Sequence, residues 1–319
     1  MNNGMSKKIP DTVSVIFASN DNYSMLLGTA LCSLFENKKG DYRIKLYVVD
    51  FGISAKNKER LGVLEKKYDF VINYVVPAKE IFEKIPRILR FNIDYAPIEI
   101  YHHIFLARFL PPECRRVIDF DVDVVIRGDV AELFNTDLNG KALGAVADCR
   151  QEEKWTYLKR LRENINWPVE QEPLVYFNAG VVLVDLALWR KRKIEEKLLR
   201  LLREYPDKLW YLEQDALNIV FLGNYRQLPM KYNFLVGQFD ERDCPDPFAV
   251  HFVGGGKPWY FFSALPYQPE YIYYVNKTPW KNEKYKKVMD TYFAKKYHIY
   301  PLAWGVWSAY KKLKKILGR

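Results

Sequence analysis

Two carboxylates, Asp121 and Asp123, follow a strongly apolar stretch and lie two residues apart. In an extended chain this spacing projects both side chains to one side, so their charges repel unless a cation lies between them. Carboxylate oxygens are preferred ligands of hard divalent ions such as Mn²⁺ and Mg²⁺. An ion held this way keeps open positions for a diphosphate, whose charge it neutralises. The alternative is a chance Asp-x-Asp pair that is only solvated loop charge.

The residues before these acids have the character of a buried β-strand. Val117, Ile118 and Phe120 are β-branched or aromatic, as in a strand that is buried. Open α/β sheets bind ligands beyond the carboxyl ends of their strands, which favours a metal site over a chance pair. Asp119 is a third acid, one step deeper in this strand. We expect it to be hydrogen-bonded or paired there, a role that is more often structural than catalytic.

Three later segments also combine polar or glycine residues with apolar ones. Residues 178–180 interrupt a strand-like run and would let a ligand approach the backbone closely, although a β-bulge is the alternative. Residues 213–215 precede a helix-like run, where acids are often plain caps. In residues 251–257 a histidine, three glycines and Lys257 together could hold a diphosphate.

Apolar strand-like segments alternate with helical ones in the first part of the chain. This order predicts a mainly parallel, doubly wound α/β sheet, in which the loop after the first strand is a common nucleotide site. Polar residues 19–23 form that loop, but they could equally be a helix cap. The chain has no Gly-x-Gly-x-x-Gly or Walker sequence, so a dinucleotide or P-loop site has little support. The predicted strands are residues 13–18, 44–50 and 70–76, and the predicted helices are residues 25–35 and 55–67.

The composition indicates a globular protein with acidic partners. The 319 residues are 49% hydrophobic and carry a formal net charge of +10, which favours nucleotides, phosphorylated glycans, nucleic acid or an anionic membrane. No early apolar run is long enough for a signal peptide core or a membrane span. The four scattered cysteines contain no Cys-x-x-Cys pair, so we expect reduced thiols in a cytoplasmic protein.

Five motifs in order make the sequence similar to a known family. They are Phe-Ala-Ser-Asn-Asp-Asn-Tyr, Asp-Phe-Asp-Val-Asp, Tyr-Phe-Asn-Ala-Gly-Val, Gln-Asp-Ala-Leu-Asn and His-Phe-x-Gly-x-x-Lys-Pro-Trp, within residues 12–262. This set resembles the family 8 glycosyltransferases, and within them the bacterial lipopolysaccharide α-galactosyl- and α-glucosyltransferases. The resemblance implies a Rossmann-like GT-A fold, a retaining reaction, Mn²⁺ (or Mg²⁺), and a UDP-sugar donor, UDP-galactose or UDP-glucose. It also implies a saccharide acceptor, such as a lipid-linked lipopolysaccharide or another cell-surface glycan.

The resemblance assigns a role to each matching position. Metal ligands would be Asp121, Asp123 and His251. Nucleotide-binding residues would be Ala18, Asn20, Tyr23, Gly254 and Lys257. Residues near the donor sugar or the acceptor would be His103, Asp148, Asn178 and Ala179. Catalytic candidates would be Gln214 and Asp215.

This chain departs from the family pattern at several of these positions. Asn20 stands where Asp is common, but its amide can still bond uracil. His103 stands where relatives commonly have Arg, and a neutral imidazole cannot make a guanidinium's bidentate contacts. Asp119 stands where many relatives have a neutral residue, and Glu213 replaces an acid that is often Asp.

The C-terminal region differs in composition from the rest. We expect residues 1–265 to form the catalytic domain and residues 266–319 a basic, aromatic region ending in an amphipathic helix. Such a helix favours peripheral attachment to the inner face of an anionic membrane; the alternative is a helix packed on the domain. Two other functions are a non-catalytic glycan-binding protein of this fold and a nucleic-acid-binding protein, although no nucleic-acid module is recognisable. The apolar face comprises Leu302, Val306, Ala309, Leu313 and Ile316, the basic face Lys311, Lys312, Lys315 and Arg319, and Trp304 and Trp307 suit the headgroup layer.

Overall fold

In a computed structural model the chain folds around a seven-stranded sheet. The structure describes residues 11–83, 85, 89–90, 94–95, 98–166, 175–254, 256–260, 263 and 265–283. The strands are β1 Thr12–Ser19, β2 Arg43–Asp50, β3 Ile72–Val75, β4 Leu89–Arg90, β5 Asp94–Tyr95, β6 Arg116–Phe120, β7 Val124–Ile126, β8 Leu143–Ala147, β9 Phe177–Asp185, β10 Arg226–Leu228, β11 Phe234–Leu235 and β12 Ala249–His251.

The main sheet has the order β10-β8-β9-β6-β1-β2-β3. Every neighbouring pair is parallel except those of β9, which runs antiparallel to β6 and β8. The predicted α/β fold with a mainly parallel sheet is confirmed. Both faces of the sheet are covered: Val15 and Phe17 of β1 belong to one hydrophobic core and Ile16 to the other, as expected for buried parallel strands.

Helices cover the two faces of the sheet. The strands and helices predicted for the first 76 residues are confirmed, with bounds that agree to within two positions. The first helix is buried along most of its length, because it is apolar almost all round. Three 3₁₀ segments, Asp21–Tyr23, Ile98–Phe105 and Met230–Asn233, also contribute to the site described below. The helices are α1 Ser24–Glu36, α2 Ala55–Tyr68, α3 Lys79–Phe82, α4 Leu106–Phe109, α5 Val130–Phe134, α6 Gln151–Asn164, α7 Leu186–Lys191, α8 Ile194–Glu204, α9 Glu213–Phe221 and α10 Gln268–Asn276.

A second, three-stranded sheet of order β11-β12-β7 lies beyond the carboxyl end of β6. Strand β12 pairs antiparallel with β7, which places His251 opposite Val124. This pairing connects two segments that are more than 120 residues apart in the sequence. It brings the end of β12 beside the turn between β6 and β7.

Residues 268–283, the start of the predicted C-terminal region, pack against α1. Trp280 is buried and lies so close to Gly28 that a Cβ there would be 2.5 Å from the indole ring. Asn37 donates to the Tyr274 hydroxyl at 2.8 Å. The membrane helix predicted near residues 300–319 lies outside the described residues. Among the described helices, none combines the length and apolarity that crossing a membrane requires.

Candidate active site

The two predicted metal-binding acids lie in a turn and not on an extended strand. Strand β6 ends at Phe120, and Asp121 and Asp123 occupy the turn before β7. The turn is fixed to neighbouring strands, because Asp121 N donates to Gly180 O at 2.8 Å and Phe252 N donates to Asp123 O at 3.0 Å. The acids therefore converge through the shape of the turn, and not through the two-residue repeat of a strand.

His251 completes a cluster with these acids. Its Nε2 lies 3.2 Å from Asp123 Oδ1 and 3.6 Å from Asp121 Oδ2. The ligating atoms of the three residues all lie within 4.8 Å of one another. Two carboxylates and one imidazole are a suitable set for Mn²⁺, which accepts oxygen and nitrogen ligands.

A chain of hydrogen bonds determines which nitrogen of His251 carries a proton. The Gly180 N–H donates to Asn178 Oδ1 at 3.0 Å, so that amide oxygen is an acceptor. Asn233 must therefore donate to the same oxygen through Nδ2, at 2.8 Å, which turns Asn233 Oδ1 toward His251 Nδ1 at 3.0 Å. His251 Nδ1 is the donor of that bond. Its Nε2 is left free to present a lone pair to an ion, as in metal-ligating histidines whose other nitrogen is hydrogen-bonded.

Lys257 brings a positive charge to the same place. Its Nζ lies 2.6 Å from Asp123 Oδ2 and also contacts the Phe252 carbonyl oxygen. Burial alone would raise the pKa of Asp123, but the charge of Lys257 does most to hold it well below its usual range, so the residue is a carboxylate. Nearby Gly254 has a φ of +71° and open space where a Cβ would be, which leaves its backbone accessible to a ligand.

A cavity of about 940 Å³ opens over this cluster. Its volume is at the upper end of the usual range for small-molecule sites. Eight of the predicted site residues line it, whereas Ala18, Asn20, Tyr23, His103, Ala179 and Asp215 are not among its lining residues. The eight are Asp121, Asp123, Asp148, Asn178, Gln214, His251, Gly254 and Lys257.

Gln214 and Asp148 form a joined part of the cavity wall. The Ala179 N–H donates to Gln214 Oε1 at 3.1 Å, and Gln214 Nε2 donates to Asp148 Oδ2 at 3.1 Å. These two bonds fix the orientation of the Gln214 amide. Lys154 extends the wall, with its Nζ 3.7 Å from Asp148 Oδ2 and 3.5 Å from the centre of the Tyr211 ring. Lys154 was not predicted as a site residue, because it stands in an otherwise ordinary charged helix.

Asp215, a predicted catalytic residue, lies behind this wall and is fully buried. It accepts hydrogen bonds from the hydroxyls of Tyr157 and Tyr176 and from Tyr211 N at 2.7 Å. Burial raises the pKa of Asp215, and hydrogen bonds from the two tyrosines offset this only in part. These contacts hold the segment that carries Tyr211 and Gln214.

We therefore predict that Asp215→Asn will act mainly on stability. The new NH₂ cannot accept a hydrogen bond, so one buried tyrosine donor loses its partner, which costs about 1–3 kcal/mol of unfolding free energy. Tyr157→Phe, which removes one donor instead, should cost about 0.5–1.5 kcal/mol. Denaturant unfolding measures both changes. An Asp215→Asn protein of unchanged stability that no longer turns over donor would show that Asp215 acts directly in the chemistry.

The loop after β1 is held by hydrogen bonds of its own side chains. Asn20 caps the 3₁₀ segment, because its Oδ1 accepts from Tyr23 N at 3.2 Å. Its Nδ2 donates to Glu99 Oε1 at 2.6 Å, a partner 79 residues away that no sequence pattern indicated. Burial raises the pKa of Tyr23 most, and the charges of Asp123 and Glu99 raise it further. The predicted uridine loop is therefore adjacent to the acid cluster.

His103 lies beneath the acids, 3.9 Å from Asp121 Oδ1 through its Nε2, and is bonded to the buried Asp119. The predicted pairing of Asp119 is thus confirmed.

All four cysteines are free thiols.

Several known proteins are similar to this chain in sequence or in fold. General stress protein A of Bacillus subtilis (strain 168) is 28% identical over 288 residues, which are 85% of this chain and 95% of that protein. The lipopolysaccharide 1,2-glucosyltransferase of Escherichia coli is 24% identical over 292 residues, 88% of this chain and 82% of that protein. The galactosyltransferase LgtC, solved in complex with donor and acceptor sugar analogs, superposes with a TM-score of 0.71 at 24% identity, covering 85% of this chain and 100% of that one.

The likeness to LgtC identifies the architecture as the GT-A fold. The model of glycosyl transferase family 8 matches residues 14–262. This match spans most of the chain and contains every residue of the acid–histidine cluster. The protein belongs to glycosyltransferase family 8.

Proposed function

We propose that this glycosyltransferase moves a hexose, galactose or glucose, from a UDP-sugar to a saccharide acceptor with retention of configuration and with Mn²⁺ or Mg²⁺ as cofactor. The observation that carries the proposal is the cluster of Asp121, Asp123 and His251 at the floor of the cavity, with a free imidazole nitrogen turned toward two carboxylates. The name of the Escherichia coli relative, a lipopolysaccharide 1,2-glucosyltransferase, supports a lipopolysaccharide or other cell-surface glycan as acceptor.

The three residues of the cluster would hold the ion, and Lys257 and the accessible backbone at Gly254 would hold the diphosphate beside it. A divalent ion in this place supplies charge neutralisation for the departing diphosphate. Lys257 contributes in the same sense, because its charge is already positioned before the bond breaks. Its present partner, Asp123, would then be shared with the ion.

The remaining residues divide between the two ends of the donor. Ala18, Asn20 and Tyr23 would bind the uridine, since their loop adjoins Asp123 through Tyr23. Asp148, Ala179 and Gln214 would surround the donor sugar, since they are joined through the hydrogen bonds of the cavity wall, and Asn178 lines the same cavity.

Retention of configuration requires either a covalent intermediate or attack by the acceptor on the same face from which the leaving group departs. An amide is a poor nucleophile, which argues against Gln214, and the burial of Asp215 behind the wall argues against that carboxylate as the nucleophile. We therefore favour same-face attack. The bond from the sugar C1 to the diphosphate oxygen breaks, the acceptor oxygen bonds to C1, and the acceptor's proton passes to the leaving phosphate oxygen.

Hydrolysis of a panel of UDP-sugars without acceptor tests this proposal. We expect Mn²⁺-dependent release of UDP from UDP-galactose or UDP-glucose, and loss of this activity in EDTA. Release of UDP at the same rate in EDTA would contradict the metal-dependent mechanism. Turnover of a non-hexose donor in preference to both would contradict the proposed substrate.

We also propose that residues 266–319 attach the enzyme to the inner, cytoplasmic face of an anionic membrane, where a lipid-linked acceptor would be met. The apolar face predicted for residues 302–316 adds transfer energy, and each basic residue near the surface adds about 1 kcal/mol. Residues 268–283, at the start of this region, pack on α1, so the membrane-binding part would follow residue 283.

Truncation after Tyr300 should abolish binding to anionic vesicles and leave donor hydrolysis intact. The full chain should co-sediment with anionic vesicles at low salt, and high salt should release it because the charges are screened. Neutral vesicles are the control for the electrostatic part. If the full chain ignores anionic vesicles at low salt, the membrane proposal is wrong.

A further inference from the structure

A fully buried carboxylate, Asp119 on β6, lies between two imidazoles directly beneath the acid cluster. Its Oδ1 is 3.0 Å from His102 Nε2, and its Oδ2 is 2.8 Å from His103 Nδ1. His102 Nδ1 is 2.9 Å from the Glu99 carbonyl oxygen. Both imidazoles are themselves at most 4% exposed. Three ionisable groups buried together need a reason, because burial of charge is costly unless every partner is satisfied.

The neighbours of these rings fix their orientation. The Glu99 carbonyl oxygen can only accept, so His102 Nδ1 donates to it. Both oxygens of Asp119 are engaged, one by each ring, so the carboxyl cannot turn away from either imidazole without losing a contact. The contact between Asp119 Oδ2 and His103 Nδ1 therefore fixes the plane of the His103 ring.

The other nitrogen of that ring, His103 Nε2, faces the metal-binding acids. It lies 3.9 Å from Asp121 Oδ1, while Asp121 Oδ2 lies 3.6 Å from His251 Nε2. The Asp121 carboxylate thus stands between two imidazoles, each held in place from behind by a further side chain. Asp121 needs this support, because its side chain is 36% exposed and a carboxylate at a surface turn rotates freely about its own bonds.

We propose that His103 is a positioning residue that orients the metal ligand Asp121, and that Asp119 serves to hold His103 in that orientation. The inference rests on the proposed function, since it presumes that Asp121 binds an ion. It changes the role expected for His103, from contact with the donor sugar to support of the cluster from beneath. Groups that support metal ligands in this way typically change metal affinity by about 10–100-fold when they are removed.

Two substitutions at His103 separate this role from a merely structural one. The amide nitrogen of Asn overlies the Nδ1 position of His, and that of Gln overlies the Nε2 position. His103→Asn therefore keeps the bond to Asp119 and loses the group that faces Asp121. His103→Gln does the reverse: it leaves Asp119 short of one donor but keeps a polar group toward Asp121.

The test is the affinity for Mn²⁺ alone, measured by the EPR signal of the free ion, beside the melting temperature in EDTA. We expect His103→Asn to weaken Mn²⁺ binding by about 10–100-fold at a near-normal melting temperature. We expect His103→Gln to lower the melting temperature and keep most of the affinity. The isosteric Asp119→Asn loosens the His103 ring and should weaken Mn²⁺ binding as His103→Asn does. It provides the second test if the His103→Asn protein does not fold.

The outcomes distinguish the two levels of the argument. Wild-type affinity for Mn²⁺ in both His103→Asn and Asp119→Asn would overturn the role of His103 and leave the proposed function intact. A raised donor KM with unchanged Mn²⁺ affinity would likewise overturn it, and would place His103 against the donor. Failure of the wild-type protein to bind Mn²⁺ would overturn the proposed metal site itself, and this inference with it.

Discussion

Asp123→Asn will remove metal-dependent turnover of a UDP-sugar and leave the protein folded. The substitution takes away one ligand of the cluster and the carboxylate that Lys257 contacts at 2.6 Å. We expect a loss larger than the roughly 10–100-fold caused by losing a supporting group, because a direct ligand is lost. The folded state should survive, since Asp123 lies in a turn at the cavity and an amide can still accept from Lys257.

Asp137→Asn is the matched control for this substitution. Asp137 is exposed, accepts from Asn139 N at 2.8 Å, and precedes β8 at the end of that strand opposite the cavity. It should leave UDP release and the melting temperature unchanged. Turnover of Asp123→Asn at a rate near that of Asp137→Asn would mean that Asp123 binds no catalytic ion.

Gly180→Ala should disable the same site without removing any ligand. A Cβ at Gly180 would lie 2.1 Å from His251 Cε1 and 2.7 Å from Asp121 Oδ2. His251 is held by Asn233 and cannot move aside without breaking that bond. Overpacking of this kind costs about 1–3 kcal/mol of unfolding free energy, and a displacement of about 1 Å at reacting groups can cost about 100-fold in rate.

Gly62→Ala tests whether this effect depends on position. Gly62 lies in α2, where the nearest atom to an added Cβ is Glu65 Oε2 at 3.7 Å. Replacing a helical glycine by alanine should stabilise the protein by about 0.5–1 kcal/mol, with unchanged turnover. If Gly180→Ala retains normal Mn²⁺ affinity and normal turnover, the close packing of His251 against Gly180 of β9 has no functional importance.

The first part of the fold could be predicted because its elements are local. The apolar runs of β1 and β2 and the helical run of α1 each carry their own pattern, and their bounds agree with the structure within two residues. The antiparallel insertion of β9 between β6 and β8 could not be predicted. Its apolar pattern is that of any buried strand, and strand direction depends on contacts between distant segments.

The site shows the same division. Asp121, Asp123 and His251 could be proposed from their residue types and from the resemblance, but the cause of their convergence was different from the one expected. The chain turns at Asp121, and the β7–β12 pairing supplies the histidine. Asn233, which sets the proton on His251, lies in a short 3₁₀ segment with no periodic pattern, so the sequence carried no signal for it.

Asp215 was expected in the reaction and lies behind the wall. Its position in the first turn of α9 is evident from the sequence, but the two tyrosines that surround it come from α6 and from the residue before β9. Burial of an acid in the first turn of a helix depends on such distant partners, which composition and spacing do not reveal.

The most direct test of the central claim is the affinity for Mn²⁺ measured with and without UDP. A cluster that bridges the diphosphate through an ion must bind Mn²⁺ more tightly when UDP is present, and by linkage must bind UDP more tightly when Mn²⁺ is present by the same factor. We predict this mutual tightening in the wild-type protein and its loss in Asp123→Asn. Equal Mn²⁺ affinity with and without UDP, in a protein that binds both, would contradict a metal site that holds the diphosphate.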